Sequence, residues 1–241
     1  MIRGLYTAAS GMVAQMRAQD ISANNLANVS TTGYKKDLPA LAAFPELFLH
    51  RFNDGPAGVL GIGASPAPIG ALGTGVWVEE VATNMKQGSL KETGRELDFA
   101  LRGNGFFVLD TPGGRRYTRN GSFSIDAEGR LVTAAGYQVL GRDGMPLYHD
   151  EDDLADRLLV VDFPPGGLTK EGESLFYSLA EGQVVAHPEI RQGSLEEANV
   201  DVVTAMVDMI TVMRTYEANQ KVLQVQDQTL EKVVNEVGRV G

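Results

Sequence analysis

The sequence predicts an α+β fold in which long N- and C-terminal helices form a coiled-coil layer and flank a central, mostly β domain of short hairpin strands. Two observations predict it. Apolar residues recur at alternating steps of four and three at both ends of the chain, the a/d pattern of a heptad helix. Between them the texture changes to short apolar runs separated by turn-forming pairs, the pattern of hairpins in an all-β module.

The first helix is carried by Leu5, Ala9, Met12, Met16, Gln19, Ala23 and Leu26, with Gln19 its one polar seam member. It is expected to end within Asn24 to Tyr34, where Asn, Ser and Thr compete for the backbone and Gly33 accepts positive φ. Residues 1–36 form this segment. Residues 37–75 follow as an extended Gly/Ala/Pro-rich arm with Pro39, Pro45, Pro56, Pro66 and Pro68, and with Leu47-Phe48-Leu49 as a local docking point.

Residues 76–193 are expected to form the β-rich domain. Its strands are Phe99-Ala100-Leu101, Phe106 to Leu109, Tyr117-Thr118-Arg119, Phe123-Ser124-Ile125, Leu131-Val132-Thr133 and Tyr137 to Leu140. Gly103-Asn104-Gly105, Pro112-Gly113-Gly114, Asn120-Gly121 and Glu128-Gly129 supply turns between them. Leu158 to Phe163, Phe176-Tyr177-Ser178 and Gln183-Val184-Val185 continue the β pattern beyond a solvated Glu151-Asp152-Asp153 loop.

Residues 194–241 form the second terminal helix, with a seam of Val202, Met206, Met209, Met213, Tyr216, Gln220, Leu223, Asp227, Leu230, Val234 and Val237. Only Gln220 and Asp227 are polar in it. Burying one large apolar side chain is worth roughly 1.5 to 3 kcal/mol, so such a stripe demands a partner helix. That partner lies within the chain, as a hairpin, or in another copy; the unbranched methionines at the chain end favour a bundle between copies.

Composition removes several function classes. A net charge of −10 without a basic cluster argues against tracking nucleic-acid phosphates or an anionic membrane surface. No run approaches the roughly 18 to 20 apolar residues of a membrane-spanning helix, so membrane insertion is not expected. The N-terminus reads as mature helix, so departure from the cytosol would need a route without a cleaved signal. Zero cysteines exclude disulfides and thiolate chemistry.

No enzyme, cofactor or metal site emerges. His50, His149 and His187 have no partner at ligand spacing. Arg102-Gly103-Asn104-Gly105 is followed by a strand where a dinucleotide fingerprint needs a helix, so both glycines read as turn residues. Gly61 to Ser65 runs into Pro66 without a phosphate-loop lysine, and Ser122 lacks the nucleophile-elbow frame. Glu151-Asp152-Asp153 lacks the alternating spacing of a calcium loop. Two partner-seeking helical ends around a β body point instead to a self-assembling or interaction protein.

Four segments together resemble the bacterial flagellar axial proteins, the basal-body rod and hook family. The first is Gly4 to Met12 leading to Ile21 to Lys35, whose Asn24, Asn25, Leu26, Ala27, Asn28, Gly33 and Tyr34 carry the motif. The second is Gln87 to Gly94 with Leu97 to Ala100. The third runs from Gly103-Asn104-Gly105-Phe106-Phe107 through Tyr117 to Phe123 and on to Gly136 to Gly141. The last is Gln192 to Asp201 with Met209-Ile210 and Arg214 to Lys221. Arg95-Glu96 departs from the Asn-Pro that the family often carries there, which bears on a local turn. The length favours a rod subunit over the longer hook protein. The opening residues and the run from Val161 to Gly172 look more like proximal-rod than distal-rod members.

The resemblance implies a structural subunit of the flagellar rod, placed in the basal body across the periplasm or cell wall after type III export through the flagellar secretion system. Copies of itself, other rod proteins and the export apparatus are the implied partners. Its helices would line an inner tube with the β domain outside and the 37–75 arm against adjacent subunits. The expected interface packs Leu5, Met12, Met16 and Leu26 against Val202, Met206, Met209, Met213, Tyr216, Leu223 and Leu230, within a subunit and across neighbours. Gln19, Gln220 and Asp227 would set register. The competing class is a secreted β-domain binding module or adhesin whose helices pair intramolecularly.

Overall fold

The computed structural model describes residues 2–51, 67–150, 153–172, 174–178, 180 and 182–237. The expected features at Pro56, Pro66, Gly61 to Ser65 and Glu151-Asp152 lie outside them. The chain divides into two compact units, one of Met1–Ala23, Leu38–Ala82 and Met206–Gly241, the other of Asn24–Asp37 and Thr83–Ala205.

The first unit starts with α1, Ile2–Ala27. Ala8, Ala14 and Ala18 are its buried apolar residues, small side chains of high helix propensity. Four strands follow: β1 (Asp37–Ala43), β2 (Leu47–Arg51), β3 (Ala67–Leu72) and β4 (Val76–Thr83). β1 pairs with β4, and β2 pairs antiparallel with β3 with Phe48 opposite Ala71. The Val76 amide donates to Ser10 Oγ at 3.3 Å, tying β4 to α1. The described part of the expected arm therefore holds three strands, β2 and β3 paired with each other and β1 with β4 beyond the arm. Proline and glycine content misleads here because every strand of a two-stranded sheet is an edge strand, where a missing N–H is tolerated. β4 also groups with the helices, so the second unit resumes at Thr83 where the sequence suggested residue 76.

The second unit holds β5 (Leu90–Glu92), β6 (Phe99–Arg102), β7 (Phe106–Thr111), β8 (Gly114–Thr118), β9 (Phe123–Ile125), β10 (Leu131–Thr133) and β11 (Gln138–Val139). A short α2 (Leu154–Arg157) precedes β12 (Val160–Asp162), β13 (Thr169–Gly172), β14 (Leu175–Tyr177), β15 (Gln183–Val184), β16 (Glu189–Gln192) and β17 (Ser194–Glu196). The main sheet runs β13-β14-β8-β7-β11-β10-β9, with β12 also pairing β7 and β15. β7 is its centre. Phe106, Phe107, Val108 and Leu109 are all buried, which requires cover on both faces. Phe107 and Leu109 join Phe99, Phe123, Leu131 and Leu158 in the main core, while Val108 packs with Leu140, Leu159 and Val161. Gly103 and Gly105 lie in the turn between β6 and β7, as their spacing predicts.

The ends of this unit close on each other. β16 pairs with β6 and β17 with β5, setting residues 189–196 against 90–102. These pairings and α2 are not marked in the sequence, because β16 and β17 each hold a single apolar residue, Ile190 and Leu195, and α2 is one turn long. The chain then enters α3, Val202–Val237, after the Asp201 carboxylate accepts the Thr204 amide at 2.7 Å. The Thr204 hydroxyl first, and then this amide, hold the Asp201 carboxyl below its ordinary range.

Candidate subunit interface

Within the first unit α1 and α3 meet in opposite directions. A side-chain carbon added at Gly4 would strike the Gln226 amide, and one added at Gly11 would lie 3.0 Å from Asn219 Nδ2. Advancing along α1 thus corresponds to retreating along α3. The two glycines leave room for the long amides of the facing helix.

The half-buried residues of α3 are Ala205, Met209, Val212, Tyr216, Asn219, Leu223, Gln226 and Leu230, again at alternating steps of four and three. Met209, Tyr216, Leu223 and Leu230 belong to the expected seam. Its other line is displaced by one residue: Val202, Met206, Met213, Gln220 and Asp227 are exposed, and Ala205, Val212, Asn219 and Gln226 take the covered positions. Seven-residue periodicity alone does not choose between two neighbouring lines, whereas a glycine-bearing partner favours small and amide residues. Asn219 and Gln226, rather than Gln220 and Asp227, are therefore the polar members of the covered line. On α1, Leu5, Met12, Gln19 and Leu26 are half-buried, while Met16 and Ala23 face outward.

The expected interface residues consequently fall into two sets. Leu5, Met12, Leu26, Met209, Tyr216, Leu223 and Leu230 are partly covered within one chain. Met16, Val202, Met206 and Met213 present apolar surface to solvent, with Tyr6, Val13, Val203, Val207 and Ile210 beside them.

In the second unit the Asn24 to Tyr34 motif builds a hydrogen-bonded junction. Asn25 Nδ2 donates to the Asp37 carbonyl at 2.7 Å, and Asn25 Oδ1 accepts the Asp37 amide at 2.9 Å. The Tyr34 hydroxyl lies 2.9 Å from Asn24 Oδ1 and 3.1 Å from Asn25 Oδ1. Burial, then the Asp37 charge, pushes the Tyr34 phenol up to about 12. Lys170 Nζ stands 3.9 Å from the centre of the Tyr34 ring and reaches Asp37 Oδ2 at 2.9 Å.

Beneath it lies an ionic cluster that the sequence reading did not single out. Lys35 Nζ donates to Glu196 Oε1 at 2.6 Å and to the Lys86 carbonyl at 2.8 Å. Glu196 Oε1 also accepts the Gly88 amide at 2.9 Å, and Glu196 Oε2 accepts Arg119 Nη1 at 3.2 Å. Burial lowers the pKa of both cations, and Glu196 opposes that shift in each. Asn199 closes the arrangement, accepting the Lys36 amide at 2.7 Å and donating to the Asn84 carbonyl at 2.7 Å. Its signal was present in the sequence: Lys35, Gly88, Arg119 and Glu196 each lie in one of the four family-like segments. Those segments converge on a single carboxylate.

Among the described residues no group of three or more His, Asp or Glu is placed to hold a metal ion. No described helix is long and apolar enough to cross a membrane. Family models match the chain in three places: the flagella basal body rod protein model over residues 5–35, the flagellar hook protein FlgE/F/G D1 domain over 100–166, and the flagellar basal body rod FlgEFG protein C-terminal model over 191–236. The flagellar hook-basal body complex protein FlhO of Bacillus subtilis is 33% identical across 100% of both chains. This chain belongs to the flagellar basal-body rod family. It is a structural subunit of the rod, and its place is the flagellar basal body. The rod protein FlgG of Borreliella burgdorferi is 34% identical over 95% of this chain and 97% of its own, and FlgF of Caulobacter vibrioides 32% over 100% and 99%. The rod subunit thus resembles relatives of different rod names to nearly the same degree. The adhesin reading has no support among these relatives.

Proposed function

We propose that copies of this rod subunit assemble with each other and with other rod proteins through α1 and α3, as a coiled-coil layer. The observation that carries the reading is the second apolar face of each helix, where Met16, Val202, Met206 and Met213 remain exposed after the antiparallel contact has formed. Leu5, Met12, Leu26, Met209, Tyr216, Leu223 and Leu230 then hold the pair that presents this face. The β2–β3 pair supports a contact with adjacent subunits, since Phe48 and Ile69 stand exposed on it. The subunit reaches the rod through the flagellar secretion channel, and a chain with zero cysteines suits an oxidising destination. The opening residues and the Val161 to Gly172 run support a proximal position.

The test is replacement of the resident copy by Met209→Asp/Met213→Asp in cells, followed by electron microscopy of isolated basal bodies and a swimming assay. Truncated rods and lost motility are expected. Complete rods with normal swimming would refute assembly through this seam.

A further inference from the structure

The first unit carries a groove of about 630 Å3 between α1 and β4. Val13, Phe44, Trp77 and Val81 line it, and all four are more than one-third exposed. Its rim is charged, with Arg17 and Asp20 on α1 and Glu79 and Glu80 on β4. The same chain exposes an apolar stripe on α3: Val203, Met206, Val207, Ile210 and Met213, between 44% and 70% exposed. These residues are spaced so that they share one helix face, turned away from the covered line that includes Met209, Val212 and Tyr216.

We propose that the α3 stripe of one rod subunit seats in the α1–β4 groove of a second copy. The inference deepens the assembly reading above and rests on it. Lengths match: residues 203–213 of a helix span about 15 Å at 1.5 Å per residue, and Val76 to Val81 of a strand span about 17 Å. Charges match as well. Just past Met213 the same face carries Arg214, which falls at the Val81 end of the groove and meets Glu79 and Glu80 there. Symmetry selects the groove over the other available occupant, a second stripe. Stripe on stripe is an isologous contact that closes at two copies. Stripe in groove joins different surfaces, leaves one of each unfilled at the ends, and propagates as a helix of subunits.

Trp77 is the only tryptophan of the 241 residues, so the groove contains its own reporter. Two full-length variants test the pairing. Met206→Asp/Ile210→Asp spoils the stripe and keeps the groove with its tryptophan; Val13→Asp/Trp77→Asp spoils the groove and keeps the stripe. All four positions are well exposed, and circular dichroism verifies that both variants fold. The unmodified chain is expected to self-associate with a blue shift and acrylamide protection of Trp77. Each variant alone is expected to associate at least ten-fold more weakly. Mixed, they should form a 1:1 complex by ultracentrifugation in which Trp77 is again protected.

A mixture that stays monomeric, a variant that associates like the parent, or a parent whose Trp77 never becomes protected overturns the pairing. Complete rods in cells carrying the groove variant overturn it while leaving the helix-mediated assembly reading intact. That reading fails separately, through complete rods in cells carrying Met209→Asp/Met213→Asp.

Discussion

Lys35 and Glu196 are separated by 161 residues in the chain, yet their charged atoms stand 2.6 Å apart and each side chain is 1% exposed. Glu196 also holds Arg119, so one carboxylate is shared by two buried cations contributed by distant segments. Removing it strands both. Glu196→Gln is expected to lower the unfolding free energy by about 3 to 5 kcal/mol, the range for breaking a buried ion pair. Urea denaturation followed by far-UV circular dichroism measures it; a loss below about 1 kcal/mol would show that water or rearrangement replaces the carboxylate.

Tyr34 gives a pH dependence with a defined sign. Its phenol is raised from 10.0 to about 12 in the folded protein, so the fold favours the neutral form. The contribution is fully present below pH 10 and is lost as pH rises from 10 through about 12, where the unfolded chain has released the proton and the folded chain has not. Tyr34→Phe is expected to lower stability by about 1 kcal/mol near neutrality, through the lost hydroxyl bond, and to flatten the fall above pH 10. Denaturation midpoints measured across pH 8 to 12 compare the two slopes; parallel curves would disprove the assignment.

Gly33 has φ of 67°, and a side-chain carbon there would lie 2.5 Å from the backbone of Arg119 and Asn120. Left-handed backbone costs an L residue roughly 1 to 2 kcal/mol, and here the obstructing atoms are main chain. Gly33→Ala should therefore cost more than that strain alone and reduce the melting temperature by several degrees. An unchanged thermal transition would contradict the close approach.

The displaced line on α3 predicts a contrast between neighbours. Val212 is half-buried on the covered line and Met213 is 44% exposed beside it. Val212→Lys should weaken amide protection along α3 in hydrogen exchange and cost about 1 kcal/mol or more. Met213→Lys should leave the isolated chain within ~0.5 kcal/mol of the parent and act on assembly instead. Equal effects would restore the line read from heptad spacing.

Much of the architecture was legible before the fold was known, because it depends on local chemistry. β9 and β10 coincide with the predicted Phe123 to Ile125 and Leu131 to Thr133 runs, and α1 ends at Ala27 within the Asn-rich stretch that competes for its backbone. The strands hidden in residues 37–75 were not legible, since Gly and Pro there suit edge strands as well as they suit loops. β16 and β17 each hold one apolar residue, Ile190 and Leu195, too few to mark a strand.

By itself the sequence determined that both ends of the chain carry long helices, though it began the second at 194 where β17 stands and α3 starts at Val202, where the turns between Phe99 and Thr133 fall, that no thiol chemistry exists, and the kinship with rod proteins. Each is set by residue type and by spacing within a few turns of chain. Only the tertiary structure decided that Ala205 and Val212, rather than Met206 and Met213, lie on the covered line, and that Lys35, Gly88, Arg119 and Asn199 gather around the segment bearing Glu196. Covering a face requires knowing what opposes it, and a buried charge is tolerated only where distant segments supply its partners. Neither condition is encoded at the range over which sequence periodicity acts.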